Sequence, residues 1–161
     1  MLKAKRLIRW LPLLLVSEGV QAITERETFE VSVTIPTAQF YVVPSEPDWI
    51  HLEQSLPFNT QSGQFTPLRK FFDVKNSNGA IAARISAEPF LSNGRDSDNI
   101  ALIVTFNHKR LTVDSDLVVS ELDARPGKRV SLQVAAAPAP EGYRPGNYFG
   151  SVHMIFEALA P

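Results

Sequence analysis

Apolar side chains recur at every second position of this chain, and no long stretch holds helical spacing. Ile81, Ala83, Ile85 and Ala87 share one phase, with Arg84 and Ser86 between them. Ile100, Leu102, Val104 and Phe106 form a second run, and Val130, Leu132, Val134 and Ala136 a third. Near the end, Val152, Met154 and Phe156 face one way while Ser151, His153 and Glu157 face the other. Each run predicts a strand with one face on a core and the other in water.

Turn chemistry separates the runs. Asn76-Ser77-Asn78-Gly79 is expected to link two strands tightly, because Asn and Gly tolerate positive φ. Residues 92–99 form a longer polar loop, and Arg125-Pro126-Gly127-Lys128 and Arg144-Pro145-Gly146-Asn147 each set Pro-Gly just before a strand. Pro138 and Pro140 fall where a ladder donor is not wanted. Short strands at this spacing predict an all-β chain, one antiparallel β-sandwich without repeats or linkers. At 44% hydrophobic residues the chain can build a core, and its net charge of −1 argues against nucleic acid as a partner. It contains no cysteine, so disulfides and thiolate chemistry are excluded.

Residues 1–22 read as a secretory signal peptide. Lys3, Lys5, Arg6 and Arg9 give a basic start, an apolar run from Trp10 to Val16 follows, and Val20-Gln21-Ala22 supplies the small residues of a cleavage site. The run is far shorter than the ~20 residues needed to span a bilayer. Removing it takes away four basic residues and Glu18, so the exported domain is mildly acidic.

The two ends do not match. Phe29, Val31, Val33 and Ile35 alternate with Glu30, Ser32 and Thr34 and predict a strong strand at the start of the mature chain. At the other end only residues 157–161 follow the strand through Phe156, so the sandwich is expected to stop one strand short. Periodicity alone fits two readings of the first strand: it pairs within its own domain, or it projects.

At these ends the sequence resembles the alpha clade of chaperone–usher pilins, the class-five or colonization-factor-antigen type fimbrial subunits. Pro145-Gly146-Asn147-Tyr148-Phe149-Gly150 leading into Ser151-Val152-His153-Met154-Ile155-Phe156 is similar to their closing segment, a Gly-Asn-Tyr-x-Gly run before an alternating strand. Residues 130–136 with Ala137-Pro138, and residues 64–76, resemble the family's preceding strands, and residues 31–36 its donor segment. Pro36 directly follows the last apolar position, where the family pattern has an intervening acidic residue.

The resemblance implies a signal peptide at 1–22, a donor extension at 23–36 and a single incomplete Ig-like sandwich at 37–161, completed by donor-strand complementation. Phe29, Val31, Val33 and Ile35 would be the donor residues, and Val152, Met154 and Phe156 would line the acceptor groove. It further implies a structural pilus subunit at the cell surface, reached through the periplasm. The implied partners are identical or related pilins, a periplasmic chaperone, an outer-membrane usher and a tip adhesin. No cofactor or metal is expected.

Enzymatic readings find little support. His51, His108 and His153 lie in no metal-ligand spacing, and no Gly-x-Ser-x-Gly elbow occurs. Asp96, Asp98 and Asn99 lack the Gly and Glu positions of a calcium loop and read as a solvated loop. The rival is a secreted monomeric sandwich or tip adhesin that binds a surface carbohydrate through Tyr41, Trp49, Tyr143 and Tyr148; packing is the expected role of these aromatics.

Overall fold

The structure, a computed structural model, describes residues 39–161; the expected signal peptide and N-terminal strand fall outside the described residues. Eleven strands and one short helix follow in order among them. They are β1 (Phe40–Pro44), β2 (Phe58–Asn59), β3 (Gln64–Phe65), β4 (Leu68–Asn76), β5 (Ile81–Ile85) and β6 (Phe90–Leu91). Next come β7 (Ile100–Phe106), β8 (Lys109–Arg110), β9 (Asp116–Val119), α1 (Glu121–Ala124), β10 (Lys128–Ala136) and β11 (Met154–Ala158).

One sheet has the order β1-β4-β10-β7-β6, with β8 on β7; the second has the order β11-β5-β9; β2 and β3 form a separate pair. All pairings are antiparallel. The period-two runs become β5, β7, β10 and β11 in the phase the sequence predicts, because apolar side chains at alternate positions are buried together when the two sheets stack. Phe72 and Val74 of β4, Val104 and Phe106 of β7, and Val130 and Leu132 of β10 face Ile81, Ala83 and Ile85 of β5 in one continuous core.

Aromatic rings tie the sheets together. Phe106 is fully buried, with its ring centroid 5.6 Å from Phe72 and 4.9 Å from Phe156 on the opposite sheet. On the outer face, Arg129 lies opposite Asp73 in the β4–β10 register and donates through Nε and Nη2 to both carboxylate oxygens, at 2.8 and 3.1 Å. These hydrogen bonds hold the Asp73 carboxyl below its usual range. Their contribution is present at neutral pH and fades as pH falls through that lowered value.

The 76–79 turn works differently from the expectation. None of these four residues adopts positive φ, and β4 and β5 do not pair; the turn carries the chain from one sheet to the other. Gly79 is required there because a Cβ would collide with the Leu159 carbonyl oxygen. Gly150, the last glycine of the Gly-Asn-Tyr-x-Gly run, has a similar reason: its Cβ would meet the Phe90 carbonyl oxygen. Phe149 and Ser92 exchange main-chain hydrogen bonds beside it, at 2.9 and 3.0 Å, so the segment entering β11 lies flush against β6. Gly150→Ala should force these backbones apart and cost about 1–3 kcal/mol. A lower urea midpoint of the assembled subunit, with unchanged slope, checks it.

Candidate functional site

The two sheets end in strands that face each other across an open side. β1 and β11 each have one neighbour, β4 and β5 respectively, and among the described residues nothing pairs with their other edges. Antiparallel ladders alternate, so every second residue turns its N–H and C=O away from its neighbour. Along β11, Ser86 donates to the His153 carbonyl and Leu159 to the Ala80 carbonyl, which sets residues 153, 155, 157 and 159 toward β5. The main-chain groups of Met154, Phe156 and Ala158 therefore point to the open side. Along β1, Ser77 donates to the Gln39 carbonyl and Ser45 to the Phe71 carbonyl. By the same alternation Val42 turns both its groups outward and Pro44 its carbonyl alone. A proline on an outward-facing position removes no ladder bond.

The side chains at these positions point to the core. Val152, Met154 and Phe156 are all partly buried against it, and so are Phe40 and Val42 from the opposite wall. Phe72 and Phe106 make the floor, since both ring systems pack on Phe156. The site is thus an apolar trench, half covered, with the outward-turned peptide groups of Val42, Met154, Phe156 and Ala158 along its rims.

Each end of the trench is closed by a specific contact. At one pole Asn76, 2% exposed, donates through Nδ2 to the carbonyls of Ala80 and Leu159, at 2.7 and 3.1 Å, and its Oδ1 accepts from Asn78 N–H. One satisfied side chain so pins the exit of β11 to the inter-sheet turn. At the other pole Trp49, on the 3-10 turn Pro47–His51, packs edge-on against Phe72 at 5.8 Å, and Lys70 Nζ sits 5.3 Å from its ring centroid.

The sequence pointed to the β11 wall; it did not reveal the β1 wall or the places of Trp49 and Asn76 at the two poles. Phe40-Tyr41-Val42-Val43 carries no clean alternation, because Val43 is as apolar as its neighbours. The available signal was Pro44 closing an apolar run, the mark of an edge strand. The expected donor residues Phe29, Val31, Val33 and Ile35 lie outside the described residues.

Two further aromatics of the rival carbohydrate-binding reading are engaged within the domain. Tyr143 packs with Phe58 and Phe65 and donates its hydroxyl to the Ala137 carbonyl; Tyr148 donates to the Arg144 carbonyl within its own loop. Asp98 accepts from Asn93 Nδ2 at 3.1 Å and Ser97 Oγ at 2.9 Å and lies 3.4 Å from Arg144 Nε. Those bonds, Asn93 first, lower its pKa and spend its oxygens on closing the loop. No group of three or more His, Asp or Glu among the described residues is placed to hold a metal ion.

The sequence of this sandwich matches a known family. Residues 25–157 match the family described as "CS1 type fimbrial major subunit". The chain belongs to that family. It is a structural subunit of a fimbria, which polymerises with other pilin subunits and resides in the extracellular surface fibre. The family is in general non-enzymatic. Its fold, the Ig-like pilin sandwich, is similar to a solved structure titled the CooA pilin subunit from enterotoxigenic Escherichia coli. That comparison has a TM-score of 0.62 at 18% identity and covers 74% of this chain and 86% of that one. No curated protein sequence matches it.

Replacing Asn76 with Ala in this fimbrial subunit strands the Ala80 and Leu159 carbonyls. The expected loss is about 1–3 kcal/mol. Faster amide hydrogen exchange at Leu159 than at Ile155 would check that the loosening begins at this pole.

Proposed function

We propose that the trench between β1 and β11 is the acceptor groove of this subunit, and that residues 23–36 of a neighbouring copy fill it. The observation that carries this reading is the pairing of open main-chain rims on Met154, Phe156 and Ala158 with a half-covered aromatic floor. An inserted strand satisfies both at once: it supplies ladder partners for the rims and apolar side chains for the floor. Phe29, Val31, Val33 and Ile35 have the alternation the groove requires, and burying each is worth about 1.5–3 kcal/mol. The boundaries 1–22, 23–36 and 37–161 follow from this division of labour.

An empty groove exposes two sheet edges, which is an aggregation hazard. A periplasmic chaperone that holds the groove before assembly, and an outer-membrane usher that exchanges chaperone for donor, answer that hazard. The signal peptide delivers the chain to them. A tip adhesin of the same fibre would use the same exchange.

Val33→Asp would set a carboxylate against the Phe156 floor. Fibres should disappear under electron microscopy while the subunit still reaches the periplasm. Undiminished fibres from that variant would overturn the assignment of the donor. In the complementary experiment, deleting residues 23–35 should leave a subunit that stays soluble only with its chaperone or with an added peptide of residues 23–36. A solitary, cooperatively melting monomer would overturn the groove.

A further inference from the structure

Beside the Trp49 pole lies a second feature that strand insertion leaves unused. A cavity of about 950 Å³ opens between the segment after β1 and the segment before β11. Its rim carries Ile50, Leu52, Phe58 and Phe149, between 44% and 65% exposed, while Val152 and His153 join it to the groove. Large apolar side chains gathered at a rim and left in water mark an interaction surface. The loops that form it are fastened in advance: the Ser92–Phe149 bridge and the Arg144–Asp98 contact tie the β6–β7 loop to the segment entering β11.

Topology says what reaches this surface. β1 is antiparallel to β4, the 76–79 turn reverses the chain, and β5 is antiparallel to β11, so β1 and β11 run in opposite directions. A strand inserted between them is antiparallel to one and parallel to the other. If it ran parallel to β11, its last residue would emerge at the Asn76 pole. Each subunit's own β1 also begins there, at Gln39 and Phe40. One pole would then have to face both neighbours, and the chain could not propagate. Running antiparallel to β11, the strand delivers Ile35 to the Trp49 pole, beside Val152 and His153. Seven extended residues, at about 3.4 Å each, match the run of β11 from His153 to Leu159.

Only Pro36, Thr37 and Ala38 separate Ile35 from Gln39 of the incoming copy. Four Cα steps reach at most about 14 Å. The Asn76 pole of that copy must therefore rest on the cavity rim.

We infer that the apolar cavity at the Trp49 pole is the docking socket for a second copy of this chain, receiving that copy's Asn76 pole and its 76–79 turn. The inference rests on the donor-strand reading and adds to it a rigid, head-to-tail contact outside the groove.

The absence of cysteine permits a clean test in assembled fibres. Fibres of the double variant Leu52→Cys, Asn78→Cys, treated with a bismaleimide and then fully denatured, should give covalent multimers, and either single variant none. Fibres that form normally in the double variant but yield no multimers overturn the socket while leaving the groove intact. Dimers from Asn78→Cys alone overturn the strand direction. Should the double variant fail to assemble, fibres of Leu52→Cys alone decide. Its thiol should label far more slowly with maleimide in the fibre than in the denatured chain, and equal labelling overturns the socket. Loss of fibres from Val33→Asp reports on the groove separately.

Discussion

Everything in this molecule turns on main-chain hydrogen bonding at two strand edges beside an aromatic floor. A buried peptide group without a partner is costly, and an apolar trench without a cover is costly too. Here an open strand edge and a half-covered apolar trench occur at one place, where Met154, Phe156 and Ala158 turn their peptide groups away from β5 and Phe156 rests on Phe72 and Phe106. A β-strand is the one element that relieves both together. On the proposed reading, fimbrial polymerisation is tied to completion of the fold.

The rest of the sandwich holds this opening in shape. The Phe72–Phe106–Phe156 contacts hold the sheets together although, among the described residues, no strand lies between the edges of β1 and β11. Asn76 locks one pole through three hydrogen bonds, and Trp49 shields the other. The glycines at 79 and 150 permit backbone approaches that no side chain would allow. A groove so braced is preorganised, and an entering strand then orders mainly itself.

Much of the fold was legible from alternation. β7 and β10 fall where Ile100, Leu102, Val104 and Phe106, and Val130, Leu132 and Val134, placed them, because a period of two has one stable outcome when one face must be buried. One wall of the site was legible for the same reason, through Val152, Met154 and Phe156. The other wall was not. Phe40 and Val42 sit in a run whose outward Val43 is also apolar, so the pattern does not declare a face. Asn76 read as turn chemistry, and its capture of the Leu159 carbonyl joins residues 83 positions apart. Trp49 packs on Phe72, the role expected of it, but the partner ring was not readable from the sequence.

By itself, then, the sequence determined that the runs of β5, β7, β10 and β11 form strands, which face of each is apolar, and that the donor-like segment and the closing strand lie at opposite ends of the chain. Those properties are local, since side-chain direction alternates along any extended backbone whatever it pairs with. Tertiary structure alone decided that β1 and β11 are the edge strands beside the trench and that they run in opposite directions. It alone set the β4–β5 turn between sheets rather than within one. Strand partners are chosen by contacts between residues far apart in the chain, which no local pattern encodes.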